Sequence, residues 1–177
     1  MKKLVYPILG LAIALSVQSC MDNMKAKNYQ EKTLVDDGGV ALIHGGIVGG
    51  MTEIKASSLV ASHSQNPRVI SFAKMMIADH SQADSTLLWM ESDKLITEKD
   101  TIDADHQVLI DSLSKKTGAD FDKAYIAMMV KDHEGAVELF DSQVDDKNQT
   151  IQDFARKTLP VIQMHLDSAK ALEAALK

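Results

Sequence analysis

A segment of twelve residues occurs twice, 53 positions apart, and both copies read as stretches of long amphipathic helix. Residues 72–83 align with residues 125–136. Each copy has an aromatic (Phe72, Tyr125), a methionine pair (Met75 and Met76, Met128 and Met129) and a β-branched residue (Ile77, Val130). Asp79 and His80, or Asp132 and His133, follow, and an alanine (Ala83, Ala136) closes each copy. Phe72, Met76, His80, Ala83 and Leu87 share one face at helical spacing, as do Tyr125, Met129, His133, Ala136 and Phe140. An apolar helical stripe must be covered by another, so the repeat commits the chain to helix packed on helix. With only three prolines and 5% aromatics in 177 residues, the composition agrees, and the length suits one domain with a real core.

Four long helices and one short one are predicted, at about 40–63, 67–97, 103–116, 119–146 and 148–176. Asn66 and Pro67 separate the first two, with Pro67 suited to a first helical position. Lys115, Lys116, Thr117 and Gly118 end the short helix, and Pro160 is expected to kink the last. Tight turns join the first pair of long helices and the last pair, so each pair should be antiparallel. The longer connection between pairs carries the short helix and can travel the length of a bundle. The fold class is therefore all-α, a ferritin-like four-helix bundle with a long crossover, and a plain up-down bundle capped by the short helix is the alternative. Gly45, Gly46, Gly49 and Gly50 are costly inside a helix. Close approach of a neighbouring helix would compensate; otherwise the helix starts near Met51 and the glycines form a loop.

The chain is expected to begin with a leader. Lys2 and Lys3 precede an apolar stretch from residue 4 to 17, and Val17, Gln18, Ser19 and Cys20 follow. This resembles a bacterial lipoprotein signal, which implies acylation of Cys20 after removal of residues 1–19. An ordinary secretory signal is the alternative. Cys20 is the only cysteine, so it has no intramolecular disulfide partner. The apolar run falls short of the ~20 residues needed to span a bilayer. Residues 20–37 are polar and suit a tether, and residues 38–177 form the bundle. Met21, rather than aspartate, follows the cysteine, which favours outer-membrane sorting, with the domain facing the periplasm. Net charge is −6, and loss of Lys2 and Lys3 makes it more negative. An acidic chain without basic clusters excludes nucleic acid as a partner and electrostatic docking on anionic lipid. Attachment to the membrane would run through the N-terminal lipid alone, and no protein partner is identified.

The inner faces carry the chemistry. On the last helix Phe154, Val161, His165, Ala169 and Leu172 form a stripe. On the first, Leu42, Gly46, Gly49, Glu53, Ala56 and Val60 form one whose single charge is Glu53. Each long helix thus points one polar side chain inward, at a similar distance from its start, so Glu53, His80, His133 and His165 should meet in one layer. Imidazoles with a carboxylate suit one iron, zinc, manganese or copper ion. Met76, Met129 and Met164 lie near the histidines and offer soft ligands for copper. A metal-free hydrogen-bonded network centred on Glu53 is the competing reading. Asp79 and Asp132 point about 100° away from their histidines, which makes them surface residues or supporting partners. His44, His63 and His106 lack such a constellation and read as surface residues. Nucleophile elbows and phosphate-binding glycine loops are absent.

Several segments carry a family resemblance. They are Glu53 with Leu59, Val60 and Ala61; residues 69–80; Phe121 to Tyr125 leading to His133; and residues 154–160 leading to His165. Together these resemble the bacterial envelope proteins known as domain of unknown function 4142, from about Gly38 to the C-terminus. The resemblance implies a ferritin-like bundle in the cell envelope without an established activity. The Met-Met-x-x-Asp-His segment is also similar to a related ferritin-like family with paired histidines. Di-iron carboxylate bundles take Glu-x-x-His from two helices. Ile77, Val130 and Ile162 stand at those glutamate positions here, so ferroxidase chemistry is disfavoured. The leading expectation is a non-catalytic lipid-anchored envelope protein whose bundle is suited to bind one metal ion or a small partner. A mononuclear redox enzyme acting on peroxide or copper, with Glu53 as proton carrier, is the second. An interaction module with an apolar patch near Trp89 and Met90 is the third.

Overall fold

The computed structural model describes residues 34–97 and 99–176. The leader, Cys20 and most of the tether lie outside the described residues. Among those described there are five helices and no strand: α1 (Asp37–His63), α2 (Pro67–Asp93), α3 (Ala104–Leu113), α4 (Gly118–Asp141) and α5 (Gln149–Ala175).

Local chemistry sets these boundaries. α1 starts three residues before its predicted position because Asp36 accepts a hydrogen bond from Gly39 N at 3.0 Å and caps it. Asn66 caps α2 with Pro67 in its first turn, Asp103 caps α3, and Asn148 caps α5. α2 stops before the predicted residue 97. Leu95 turns into the left-handed region at φ 55°, and Ile96 N reaches back to Glu91 O at 3.1 Å, which closes the helix end. α4 likewise ends at Asp141 and passes into tight turns through Asp146. α5 runs through Pro160 without a break.

α1 is one continuous helix through all four glycines, so the loop alternative does not hold. Close packing explains three of them. A Cβ at Gly45 would stand 2.9 Å from Leu139, at Gly46 2.8 Å from Leu87, and at Gly50 it would overlap the Asp84 carboxylate. Gly49 differs: a Cβ there meets nothing within 4 Å. Gly50→Ala is therefore expected to destabilise by roughly 1–3 kcal/mol through crowding of Asp84. Gly49→Ala should stabilise by up to ~1 kcal/mol through helix propensity alone. Denaturant unfolding of the two variants side by side checks the contrast.

Side-chain contacts establish the topology. Glu53 faces His80 on α2 and His133 on α4, and Ser57 bonds Tyr125 at 2.8 Å. Gly45 packs by Leu139, and His63 stacks near Phe121 at 5.2 Å. α1 therefore runs antiparallel to both α2 and α4. The crossover climbs along α1, held by Lys55 to Gln107 at 2.8 Å and His63 to the Ser114 carbonyl at 3.2 Å. The helical pairs α1–α2 and α4–α5 with this long crossover form the ferritin-like bundle rather than the up-down alternative.

Two apolar clusters fill the bundle. One contains Val60, Phe72, Met76, Phe121, Tyr125, Met129 and Leu172. The other contains Leu42, Ile43, Leu87, Met90, Phe140, Ile151 and Phe154. Each fully buried large side chain stabilises by roughly 1.5–3 kcal/mol. On every long helix the site residue falls between the members of the two clusters, so a polar layer divides the core. On α5 the predicted stripe is off by one position: Val161 is 38% exposed while Ile162 is buried. Near the predicted surface patch Trp89 is 56% exposed, whereas Met90 is fully buried.

Candidate metal centre

Glu53, His80, His133 and His165 arrive from α1, α2, α4 and α5 in one layer. Glu53, His133 and His165 are almost fully buried. The three imidazoles stand mutually edge-on or tilted, with ring centroids 5.7 Å (His80 to His133), 5.5 Å (His80 to His165) and 5.4 Å (His133 to His165) apart. One nitrogen from each ring lies within 4.8 Å of the other two. Glu53 is in the layer but outside that mutual set. Its Oε2 is 2.6 Å from His80 Nε2, an ion pair not aligned as a straight hydrogen bond, and its Oε1 is 3.3 Å from His133 Nδ1.

The second nitrogens fix the tautomers. His133 Nδ1 donates to the Met129 carbonyl at 2.9 Å, so its Nε2 carries the lone pair. His165 Nε2 donates to Asp79 Oδ2 at 2.9 Å, leaving the lone pair on Nδ1. Both of those lone-pair nitrogens are buried and have no hydrogen-bond partner. An unserved buried acceptor costs roughly 1–3 kcal/mol. A ring tied at one nitrogen and free at the other is the arrangement that metal-ligating histidines adopt. In a tetrahedral set with bonds of ~2.1 Å the nitrogens stand roughly 3.4 Å apart, so the rings would swing inward to grip an ion. A cavity of about 660 Å³ has all three histidines among its lining residues.

Electrostatics separate the three rings. Burial works to lower the His80 pKa, but the Glu53 carboxylate outweighs it and holds the ring above its ordinary value. Burial also acts to raise Glu53, and His80, His133 and His165 together pull it below the usual carboxylate range. His133 is lowered by burial, against the attraction of Glu53. His165 is lowered by burial too, against its bond to Asp79. The two rings with free lone pairs are thus the two held neutral, as ligation requires.

Among the aspartates beside the histidines, Asp79 is the partner that orients His165. Asp132 stands 3.9 Å from His106, which also pairs with Asp103 at 2.6 Å. His44 pairs with Asp100 on the crossover. The histidines read as surface residues thus have partners: His44 and His106 hold carboxylates and border the cavity, and His63 packs on Phe121. Met76 and Met129 are fully buried in the apolar core and Met164 is 44% exposed, so the thioethers serve packing and surface rather than the layer.

Asp84 is the residue sequence reasoning missed. It follows His80 by one turn, a spacing that shares a face, and the gap at Gly50 admits its carboxylate. Burial, opposed by His80 and reinforced by Glu53, raises its pKa to about 6. The sign follows: between pH 3.8 and about 6 the folded state holds a proton that the unfolded chain releases, so this group costs stability as pH rises through that window. The stability advantage of Asp84→Asn over the parent should grow from pH 4 to 6 and level off above. Melting temperatures of both proteins across that range check it.

Comparison with known proteins gives the family and the fold. The model of a family described as a domain of unknown function (DUF4142) matches residues 25–172. The fold is similar to the crystal structure of a DUF305 fragment from Deinococcus radiodurans. That match has a TM-score of 0.72 at 13% identity, covering 80% of this chain and 99% of that one. No curated protein matches the chain at a significant level.

Proposed function

The chain belongs to the DUF4142 family, and from that premise we propose that it is a lipid-anchored protein of the bacterial cell envelope. Its bundle holds one divalent transition-metal ion at His80, His133 and His165, with Glu53 balancing charge beside them. The role is binding rather than turnover. The observation that carries the reading is the pair of buried, partnerless lone pairs on His133 Nε2 and His165 Nδ1. Both sit on rings whose other nitrogen is already tied down. A metal-free network accounts for Glu53 between His80 and His133, but it leaves those two nitrogens unserved. A bound ion would satisfy both, as a Lewis acid accepting the lone pairs.

Elemental analysis of protein purified without chelator tests the metal. One equivalent of a single element is expected, lost in His133→Ala. Metal well below one equivalent, and unchanged by that substitution, would leave the network as the correct account. Asp79→Ala should weaken binding by roughly 10–100-fold through a misoriented His165, the usual effect of removing such a partner.

The address rests on Cys20 and the apolar leader before it. No helix among the described residues is long and apolar enough to cross a membrane. Cys20→Ser is expected to abolish incorporation of labelled palmitate and release the protein from the membrane fraction. Retention of the label in the variant would refute lipid anchoring at this residue.

A further inference from the structure

The end of the bundle where the chain enters α1 carries apolar side chains that the fold leaves uncovered. Val35 packs against the cluster of Leu42, Leu87 and Met90, so α1 begins beside the end of α2. There Leu88 is 50% exposed, Trp89 56% and Leu95 84%. All three lie on the last two turns of α2 or on the turn that closes it. Single exposed apolar residues are common, but Leu95 is held in a special position. Ile96 N bonds Glu91 O at 3.1 Å across it, and Leu95 itself takes φ 55°. That is the helix-closing position where glycine is the usual residue. Among the described residues no other non-glycine has a positive φ. A leucine there is strained, and at this exposure its side chain gains little from the core. Strain kept at an exposed apolar residue points to a contact made outside the domain.

Two observations select a lipid surface as that contact. Fifteen residues separate Val35 from Cys20, a stretch that reaches at most about 50 Å, so an acylated Cys20 would keep this end close to the bilayer. Tryptophan beside exposed leucines suits the membrane–water boundary, where an indole presents an apolar body and a polar N–H. The nearby charges show no basic surplus: Asp36 and Asp37 open α1, while Asp93 pairs with Lys94 at 3.0 Å and Asp145 with Arg156 at 2.8 Å. Attraction to anionic lipid therefore does not account for the patch. We propose that Leu88, Trp89 and Leu95 dock the bundle on the surface of a bilayer of zwitterionic lipid, a second contact beside the lipid on Cys20. The inference rests on the lipid anchoring proposed above and adds the surface that the anchored domain turns to the membrane.

Trp89 is the only tryptophan in the chain, so its fluorescence reports on the patch directly. The full lipidated chain is reconstituted in phosphatidylcholine vesicles with brominated acyl chains, a quencher confined to the bilayer. Trp89 emission is expected to shift to the blue and to be quenched. Leu95→Gly should move the balance of docked to free domain about 10-fold or more toward free, through loss of one buried leucine, and so restore emission. The same substitution should raise the melting temperature, because glycine accepts the positive φ; an unfolded variant cannot do both. Vesicles containing phosphatidylglycerol should quench Trp89 no more strongly, since an acidic chain gains nothing from anionic lipid. Protein that sediments with the vesicles while Trp89 stays unquenched would overturn the docking surface and leave the anchor in place, with a protein partner as the alternative cover for the patch. Quenching unchanged in Leu95→Gly would overturn it too, as would stronger quenching in anionic vesicles that salt abolishes. Protein that fails to sediment with the vesicles would overturn the anchor and this inference with it, a result distinct from the others.

Discussion

Glu53→Leu should lower the stability of the chelator-treated protein by about 3 kcal/mol, because removing one member of a buried ion pair strands the other. Glu53 touches His80 at 2.6 Å and His133 at 3.3 Å, and its side chain is only 5% exposed. Without the carboxylate, His80 must either keep a proton with no counter-charge or give it up inside a desolvated layer. In a domain of this size that cost corresponds to a melting temperature lower by roughly 10 °C. Removing both partners is milder: Glu53→Leu combined with His80→Leu leaves an apolar contact in place of a broken pair. The double variant is expected to recover part of the single variant's loss, a non-additivity typical of contacting residues. Urea unfolding of the single and double variants measures it. Additive losses would mean that the pair does not act as a unit.

His133→Ala is expected to raise the dissociation constant for the ion by more than about 100-fold, since loss of a mere orienting partner already costs 10–100-fold. His133 is the most buried of the three rings, and its Nε2 has no protein partner. Its removal deletes a donor without creating a replacement. His63→Ala is the control, because His63 stacks on Phe121 and bonds the Ser114 carbonyl far from the layer. Calorimetric titration of the two variants should separate them clearly. Comparable affinities would place the ion elsewhere, and helical content by circular dichroism guards against misreading an unfolded variant.

Much of this was legible in the residues alone, for identifiable reasons. The bundle follows from stripes at helical spacing, and the crossover follows from connection lengths, both local properties of the chain. Convergence of Glu53, His80, His133 and His165 was legible because each lies at a similar depth from its helix start. Errors arose where a partner from another helix decides. Val161 and Ile162 differ by one step on α5, and only packing against the cluster of Leu42, Leu87 and Phe154 selects Ile162. Asp84 was missed because its admission depends on a gap opposite, at Gly50. His44 and His106 were read as bare surface residues because their carboxylate partners, Asp100 and Asp103, lie on the crossover, which carries no stripe. The split among the layer's histidines was also hidden: which ring pairs with Glu53 and which bonds Asp79 depends on angles between helices.

The polar layer draws on both halves of the molecule. The α1–α2 hairpin supplies His80 and the α4–α5 hairpin supplies His133 and His165. During folding neither hairpin alone can muster three nitrogens, so capture of the proposed ion would have to wait until the two have docked. An ion seated there would act as a late latch on assembly, and its grip would report that the whole bundle, rather than one hairpin, is complete.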